Sequence, residues 1–190
     1  RYNSHMKPFL ILVRTGRTSR HRDWMVSSAI NHQWNFALSK FNAGFQPDTI
    51  GLSVVHYFPG GKWEGIFDFF RQHPDALARY EYIWIPDDDL VIDPEVIGLL
   101  FATMQKHDLW LAQPALLPES QISWPITLAC PSFQLRYTTF VELMAPCFKT
   151  SYLRQLLPLF EHRRSGFGLD QYWAYWTDDP SRRCAIIDGA

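Results

Sequence analysis

The sequence has few cysteines, and their placement does not suggest a disulfide framework. Its 190 residues include three, Cys130, Cys147 and Cys184. Their odd number and the lack of CxxC spacing argue against a disulfide-stapled domain and indicate a reducing compartment. A chain of this length buries enough apolar surface to fold without such staples.

A charge excess and a long hydrophobic run are also missing. The 18 basic and 19 acidic residues give a formal net charge of -1. A chain with so little net charge lacks the positive field of a nucleic-acid-binding protein, so we expect no nucleic-acid partner. No apolar stretch approaches the roughly 20 residues that span a bilayer, so we expect no membrane segment and a cytoplasmic location. Disorder is excluded because 47% of the residues are hydrophobic.

Short apolar runs alternate with helical patterns along the chain. The runs that resemble buried strands are 9–13, 51–56, 82–86, 109–112 and 185–187. The helical patterns cover 63–73, 94–107, 151–157 and 169–176. This alternation predicts an α/β fold with a mostly parallel central sheet flanked by helices.

The chain shows no internal repeat and no linker-like stretch, so we expect one domain over residues 6–190. Residues 1–5 are interpreted as an expression-tag remnant, because Ser4-His5-Met6 is a common cloning scar.

Three consecutive aspartates, Asp87, Asp88 and Asp89, follow the apolar run 82–86. In an extended segment alternate side chains share a side, so Asp87 and Asp89 face one ligand and Asp88 faces away. Paired carboxylates suit Mg²⁺ or Mn²⁺, and ligands of open α/β sheets bind beyond the carboxyl ends of the strands. The alternative is a solvated acidic turn that leads into the helix capped by Asp93.

Two further acidic residues are candidates for catalysis. Asp170 follows a glycine-rich loop and could act as a general base; the alternative is an ordinary aspartate at a helix start. Glu142 is the only charged residue in the apolar segment 139–146, which reads as a strand. An unpaired buried carboxylate is unfavourable, so we expect Glu142 to line a cleft or to pair with a base such as Arg136.

Two loops carry groups that suit a diphosphate. The first follows the run 9–13 and offers cationic and hydroxyl donors. The second places glycines and Lys62 at a helix start, which is a plausible anion site. The alternatives are a solvated basic loop and a loop-to-helix junction with Trp63 in the core.

Taken in order, these residues resemble a bacterial and plant family of domains of unknown function, itself similar to GT-A glycosyltransferases. The resemblance is carried by Arg14, Gly16, Ser19, His21 and Trp24, and by segments 61–65, 82–90, 112–115, 125–127, 140–142, 144–146, 165–170 and 187–188. It covers nearly all of the chain after Met6. The family usually continues beyond this point into a segment with a histidine, which leaves open a domain truncated at its C-terminus.

The resemblance implies a nucleotide-sugar donor whose diphosphate is bridged to the protein by Mn²⁺ or Mg²⁺. Asp87 and Asp89 would take the metal-binding role of a DxD motif, and Asp170 that of the carboxylate that activates the acceptor. Glu142 would bind acceptor hydroxyls or serve as the base instead. The donor-binding set is Arg14, Gly16, Ser19, His21, Lys62, Trp63 and Asp88.

The leading hypothesis is therefore a metal-dependent glycosyltransferase with a nucleotide-diphosphate sugar donor and an unknown glycan or small-molecule acceptor. One alternative is a catalytically silent GT-A-like module that binds a glycan or a nucleotide. Another is a metal-dependent hydrolase of phosphate esters, which ranks last because no second acidic cluster for a two-metal site is apparent.

Overall fold

The computed structural model describes residues 7–25 and 33–190, so the interpreted tag remnant lies outside the described residues. The strands are β1 Phe9–Thr15, β2 Trp34–Lys40, β3 Leu52–Tyr57, β4 Tyr82–Trp84, β5 Leu111–Pro114, β6 Arg136–Tyr137, β7 Cys147–Lys149 and β8 Cys184–Ile187. The α-helices are α1 Lys62–Gln72, α2 Ala76–Arg79, α3 Pro94–Lys106, α4 Thr150–Leu156, α5 Leu169–Tyr172 and α6 Pro180–Arg183.

The strands form one mixed sheet in the order β3-β2-β1-β4-β7-β5-β8-β6. The pairs β3–β2, β2–β1, β1–β4 and β5–β8 are parallel. β7 lies antiparallel between β4 and β5, and β6 is antiparallel to β8. The expected α/β fold is confirmed. The sheet is mixed and not purely parallel: β7 and β6 run against their neighbours, and the other strands share one direction.

Both faces of the sheet are covered, which explains why its central strands are apolar throughout. Alternate residues of β1 enter two separate core clusters, Leu10 and Leu12 on one face and Ile11 and Val13 on the other. The first cluster packs against α1 and α4, and the second against α3. The buried sheet is therefore a rigid platform for the loops at its edges.

The helix boundaries follow local capping chemistry. The carboxylate of Asp93 accepts a hydrogen bond from the Glu95 N–H at 2.8 Å, and Pro94 occupies the first turn of α3, as the sequence predicts. The predicted helix over 169–176 divides into α5 and a 3-10 helix, Trp173–Trp176. Of the helices in the described ranges, none has the length and apolarity needed to cross a bilayer.

The predicted strand over 139–146 is wrong, since the strand in this region is β7, which begins at Cys147. The preceding segment has irregular backbone whose polar groups are bonded by side chains and by single backbone N–H groups instead of a strand ladder. Indole N–H groups donate to the Val141 oxygen from Trp173 at 2.8 Å and to the Ala145 oxygen from Trp84 at 3.0 Å. Apolar composition alone does not reveal these distant partners.

Candidate active site at the carboxyl end of β4

The aspartate triplet lies just beyond the carboxyl end of β4. The Asp87 N–H donates to the Met144 oxygen at 2.7 Å, which ties the triplet to the irregular segment before β7. Asp88 and Asp89 lie in a turn, so the alternation expected of an extended segment does not apply to them. Asp87 and Asp88 are partly buried and Asp89 is exposed.

Lys62, at the first position of α1, meets Asp87. Its Nζ lies 2.6 Å from Asp87 Oδ1 and 2.8 Å from the Leu143 oxygen. The Lys62 side chain is 16% exposed and that of Asp87 is 42% exposed. Burial lowers the pKa of Lys62, and the charge of Asp87 opposes that shift. The structure thus brings together a predicted metal ligand and a predicted donor-binding cation.

Asp88 turns inward and holds the loop that follows β1. Its Oδ2 accepts from the Gly16 N–H at 3.0 Å, and its backbone oxygen accepts from the Arg20 N–H at 2.6 Å. In that loop Ser19 Oγ lies 2.7 Å from Nδ1 of His21, whose pKa is lowered chiefly by burial. Hydrogen bonds therefore connect four residues that the sequence analysis assigns to donor binding: Gly16, Ser19, His21 and Asp88, the middle aspartate of the triplet.

Arg14 links the carboxyl end of β2 to the loop that follows β3. One guanidinium nitrogen, Nη1, donates to Ser39 Oγ at 3.0 Å, and the other, Nη2, donates to the oxygens of Phe58 at 3.1 Å and Gly60 at 2.5 Å. Arg14 is 4% exposed, and burial lowers its pKa to about 10. These contacts commit the guanidinium to positioning the glycine turn before Lys62.

The glycine turn packs against the glycine-rich loop that precedes Asp170. A Cβ atom added to Gly61 would overlap the Arg164 oxygen, and one added to Gly166 would overlap the indole of Trp63. Trp63 is 1% exposed and lies in the core, which is the structural alternative stated for it above. The close approach of two glycine loops brings α1 and α5 to the same edge of the sheet.

Glu142 and Asp170 are each 8% exposed, and Glu142 is close enough to Asp170 and to Asp87 to interact with both charges. Burial raises the pKa of Glu142, and the charges of Asp170 and Asp87 raise it further. Burial also raises the pKa of Asp170, while the backbone N–H groups of Asp170 and Gln171 oppose the shift. Glu142 Oε2 has no hydrogen-bond partner among the described residues. Arg136 pairs with Asp188 instead, at 2.8 Å.

We expect Glu142→Gln to stabilise the fold at neutral and alkaline pH. The raised pKa means that Glu142 contributes stability below its unfolded pKa and loses it as pH rises through its folded pKa. Removing the buried charge should therefore raise the free energy of unfolding by about 1–3 kcal/mol at about pH 8 and change it little at about pH 4. Urea unfolding at both pH values measures this; an equal effect at both would contradict it.

A buried chain of hydrogen-bonded polar side chains runs through His56, and the sequence patterns above do not indicate it. Ser39 Oγ lies 2.7 Å from His56 Nδ1, and His56 Nε2 lies 2.9 Å from Asp68 Oδ2. Arg14 donates to the same serine, so the chain connects α1 to the glycine turn. Its members are far apart in the sequence, and no local motif identifies them.

The predicted metal ligands of the triplet supply carboxylate oxygens, the type of ligand that Mg²⁺ and Mn²⁺ prefer. Among the residues described, 7–25 and 33–190, no group of three His, Cys, Asp or Glu side chains is arranged to hold a metal ion. Asp87 and Asp89 offer hard, solvent-reachable carboxylate oxygens. Mg²⁺ typically uses one or two carboxylates with waters and substrate phosphates, so two carboxylates are enough in number for a site that a diphosphate completes.

Comparison with known proteins gives a family model that matches part of the chain. The model of a family described as "Protein of unknown function (DUF707)" matches residues 60–139, which include Lys62 and the aspartate triplet. The resemblance to such a family is thereby confirmed. A search of curated proteins gives no match.

Solved structures share the fold at low sequence identity. S. aureus TarS 1-349 superposes with a TM-score of 0.70 and 12% identity over 96% of this chain and 58% of that one. Its complex with UDP-GlcNAc gives a TM-score of 0.63, with 12% identity, 96% of this chain and 56% of that chain covered. The chain therefore spans less than two thirds of these structures.

A third structure is covered more fully. The 4-diphosphocytidyl-2C-methyl-D-erythritol synthase of Anaerococcus prevotii DSM 20548 superposes with a TM-score of 0.53 and 8% identity, over 94% of this chain and 85% of that one. At such identities the likeness establishes the fold, an α/β architecture similar to that of GT-A glycosyltransferases.

Proposed function

We propose that the protein is a metal-dependent glycosyltransferase that takes a sugar from a nucleotide-diphosphate donor. One observation carries the proposal: Asp87 with its cation Lys62, and the buried carboxylates Glu142 and Asp170, converge at one edge of the sheet. TarS structures with the same fold are in complex with UDP-GlcNAc and with UDP, which supports a nucleotide-sugar ligand.

The donor-binding side consists of Lys62, Asp87 and the loop held by Asp88. Lys62 supplies a positive charge for diphosphate oxygens, and Asp87 and Asp89 would hold Mn²⁺ or Mg²⁺. When bound, such an ion stabilises the negative charge that develops on the departing nucleoside diphosphate. Arg14 acts indirectly, because its hydrogen bonds hold the turn from which Lys62 projects.

The acceptor-activating side consists of Asp170 and Glu142. The acceptor hydroxyl oxygen forms a bond to the anomeric carbon of the donor, and the bond from that carbon to the diphosphate oxygen breaks. The hydroxyl proton passes to the carboxylate of Asp170, and the electron pair leaves with the nucleoside diphosphate. Burial raises the proton affinity of Asp170, which suits a general base.

The test is a panel of nucleotide sugars offered to the purified protein with and without Mn²⁺. We expect one donor to bind more tightly with Mn²⁺ and to release its nucleoside diphosphate slowly, and faster with a suitable acceptor. Calorimetry measures the binding, and chromatography the released product. Binding without turnover across donors and glycan acceptors indicates the silent module, and equal cleavage of non-sugar diphosphates indicates the hydrolase.

A further inference from the structure

We propose that the Lys62 ammonium is the counter-ion of Asp87 until metal and nucleoside diphosphate bind together. Asp87 then exchanges this ammonium for the divalent ion. The released ammonium then pairs with a diphosphate oxygen, so the two ligands bind cooperatively. This inference rests on the proposed function, because it assumes that Asp87 is a metal ligand.

The geometry makes the two cations competitors. Lys62 Nζ already lies 2.6 Å from Asp87 Oδ1, within contact distance of the carboxylate that the divalent ion would use. Two cations on one carboxylate repel each other strongly in a partly buried site. The Asp87 side chain is 42% exposed, so an ion can reach it from solvent and displace the amine.

Stabilisation of the fold is a poor explanation for the ion pair of Lys62 and Asp87. Lys62 occupies the first position of α1, where the helix dipole disfavours a cation. The N-terminus of α1 already has an acidic partner, since Glu64 Oε2 accepts from the Gly61 N–H at 3.3 Å. Partly buried ion pairs contribute little net stability, because desolvation offsets their attraction. A role in ligand exchange accounts for a lysine at this position.

The contacts of Lys62 also indicate what its amine does after the exchange. Its second partner is the Leu143 oxygen at 2.8 Å, a neutral acceptor that anchors the amine without neutralising its charge. The lysine stem is flexible and its ammonium has three donors. Once Asp87 is occupied, an incoming diphosphate oxygen supplies the missing negative charge.

The coupling must be reciprocal: if UDP tightens the binding of Mn²⁺, Mn²⁺ tightens the binding of UDP by the same factor. Removing the lysine ammonium removes the competitor of the metal and the partner of the phosphate together. Lys62→Met should therefore bind Mn²⁺ alone more tightly than the natural protein, and should lose most of the gain in Mn²⁺ affinity caused by UDP.

The experiment is titration of the full chain with Mn²⁺, following free Mn²⁺ by electron paramagnetic resonance, with and without UDP. We expect UDP to tighten Mn²⁺ binding about tenfold in the natural protein, in the usual range of such couplings. Lys62→Met should bind Mn²⁺ alone about tenfold tighter and show little effect of UDP. Lys106→Met, which changes an exposed lysine at the end of α3, is the matched control.

Several outcomes separate this inference from the proposed function. Equal Mn²⁺ affinity in Lys62→Met and the natural protein, an unchanged UDP effect, or no Mn²⁺ binding by either protein overturns the exchange. If only Lys62→Met binds Mn²⁺ without UDP, the inference is supported when UDP brings Mn²⁺ binding to the natural protein and is overturned when it does not. If the exchange occurs but the protein transfers no sugar, the proposed activity is refuted and this inference is not.

Discussion

Asp87→Asn is expected to lower the rate of sugar transfer at limiting donor by about 10²–10³-fold, the usual effect of losing one group that stabilises transition-state charge. Asparagine keeps the shape of the side chain and can still accept from Lys62, so the fold should persist. It lacks the negative charge that a divalent ion needs. The measurement is kcat/KM for nucleoside diphosphate release across a series of Mn²⁺ concentrations.

The matched control for this variant is Glu119→Gln, and Asp89→Asn is a second test of the metal-binding role. Glu119 is exposed in the loop after β5 and should show natural activity. Asp89 lies in the exposed part of the turn, so its variant tests whether both ends of the triplet hold the metal. An Asp87→Asn protein with the same Mn²⁺ dependence and turnover as the natural one would refute the metal-binding role.

The elements that the sequence predicted well are those whose pattern is local. The run 9–13 is apolar on both faces because β1 lies between two core clusters, and this burial is visible in composition alone. The start of α3 was equally readable, since Asp93 and Pro94 act on the backbone beside them. In both cases the physical cause lies within a few residues of its effect.

The elements that were missed depend on distant partners. The segment before β7 is as apolar as a strand, yet two indole N–H groups and the Asp87 N–H bind its carbonyl oxygens from elsewhere in the fold. β7 itself is three residues long and lies antiparallel between β4 and β5. Nothing local in 147–149 indicates that position.

The candidate site was predictable as a set of motifs but not as an arrangement. The triplet, the glycine turn and Asp170 were each identified from residue type and spacing. The ion pair of Lys62 and Asp87 joins residues that are 25 positions apart in the sequence. The hydrogen bond between Asp88 and Gly16 joins residues that are 72 positions apart. Alternation gave the wrong local geometry because a turn begins at Asp88.

Asp170→Asn is expected to lower kcat for sugar transfer by about 10²–10⁴-fold, the usual contribution of a general base, with little change in donor binding. The amide cannot take the acceptor proton but fills the same space at the start of α5. Because the pKa of Asp170 is raised by burial, the natural rate should fall as pH decreases through that raised pKa, where the base becomes protonated.

The same variant separates a catalytic from a structural role. Steady-state kinetics across a pH series should show the acidic fall in the natural protein and a low, flat profile in Asp170→Asn. Asp178→Asn, an exposed aspartate near the same helix, should retain both the rate and the profile. If Asp170→Asn keeps the acidic fall, another carboxylate takes the proton, and Glu142 is then the first candidate because its pKa is raised in the same site.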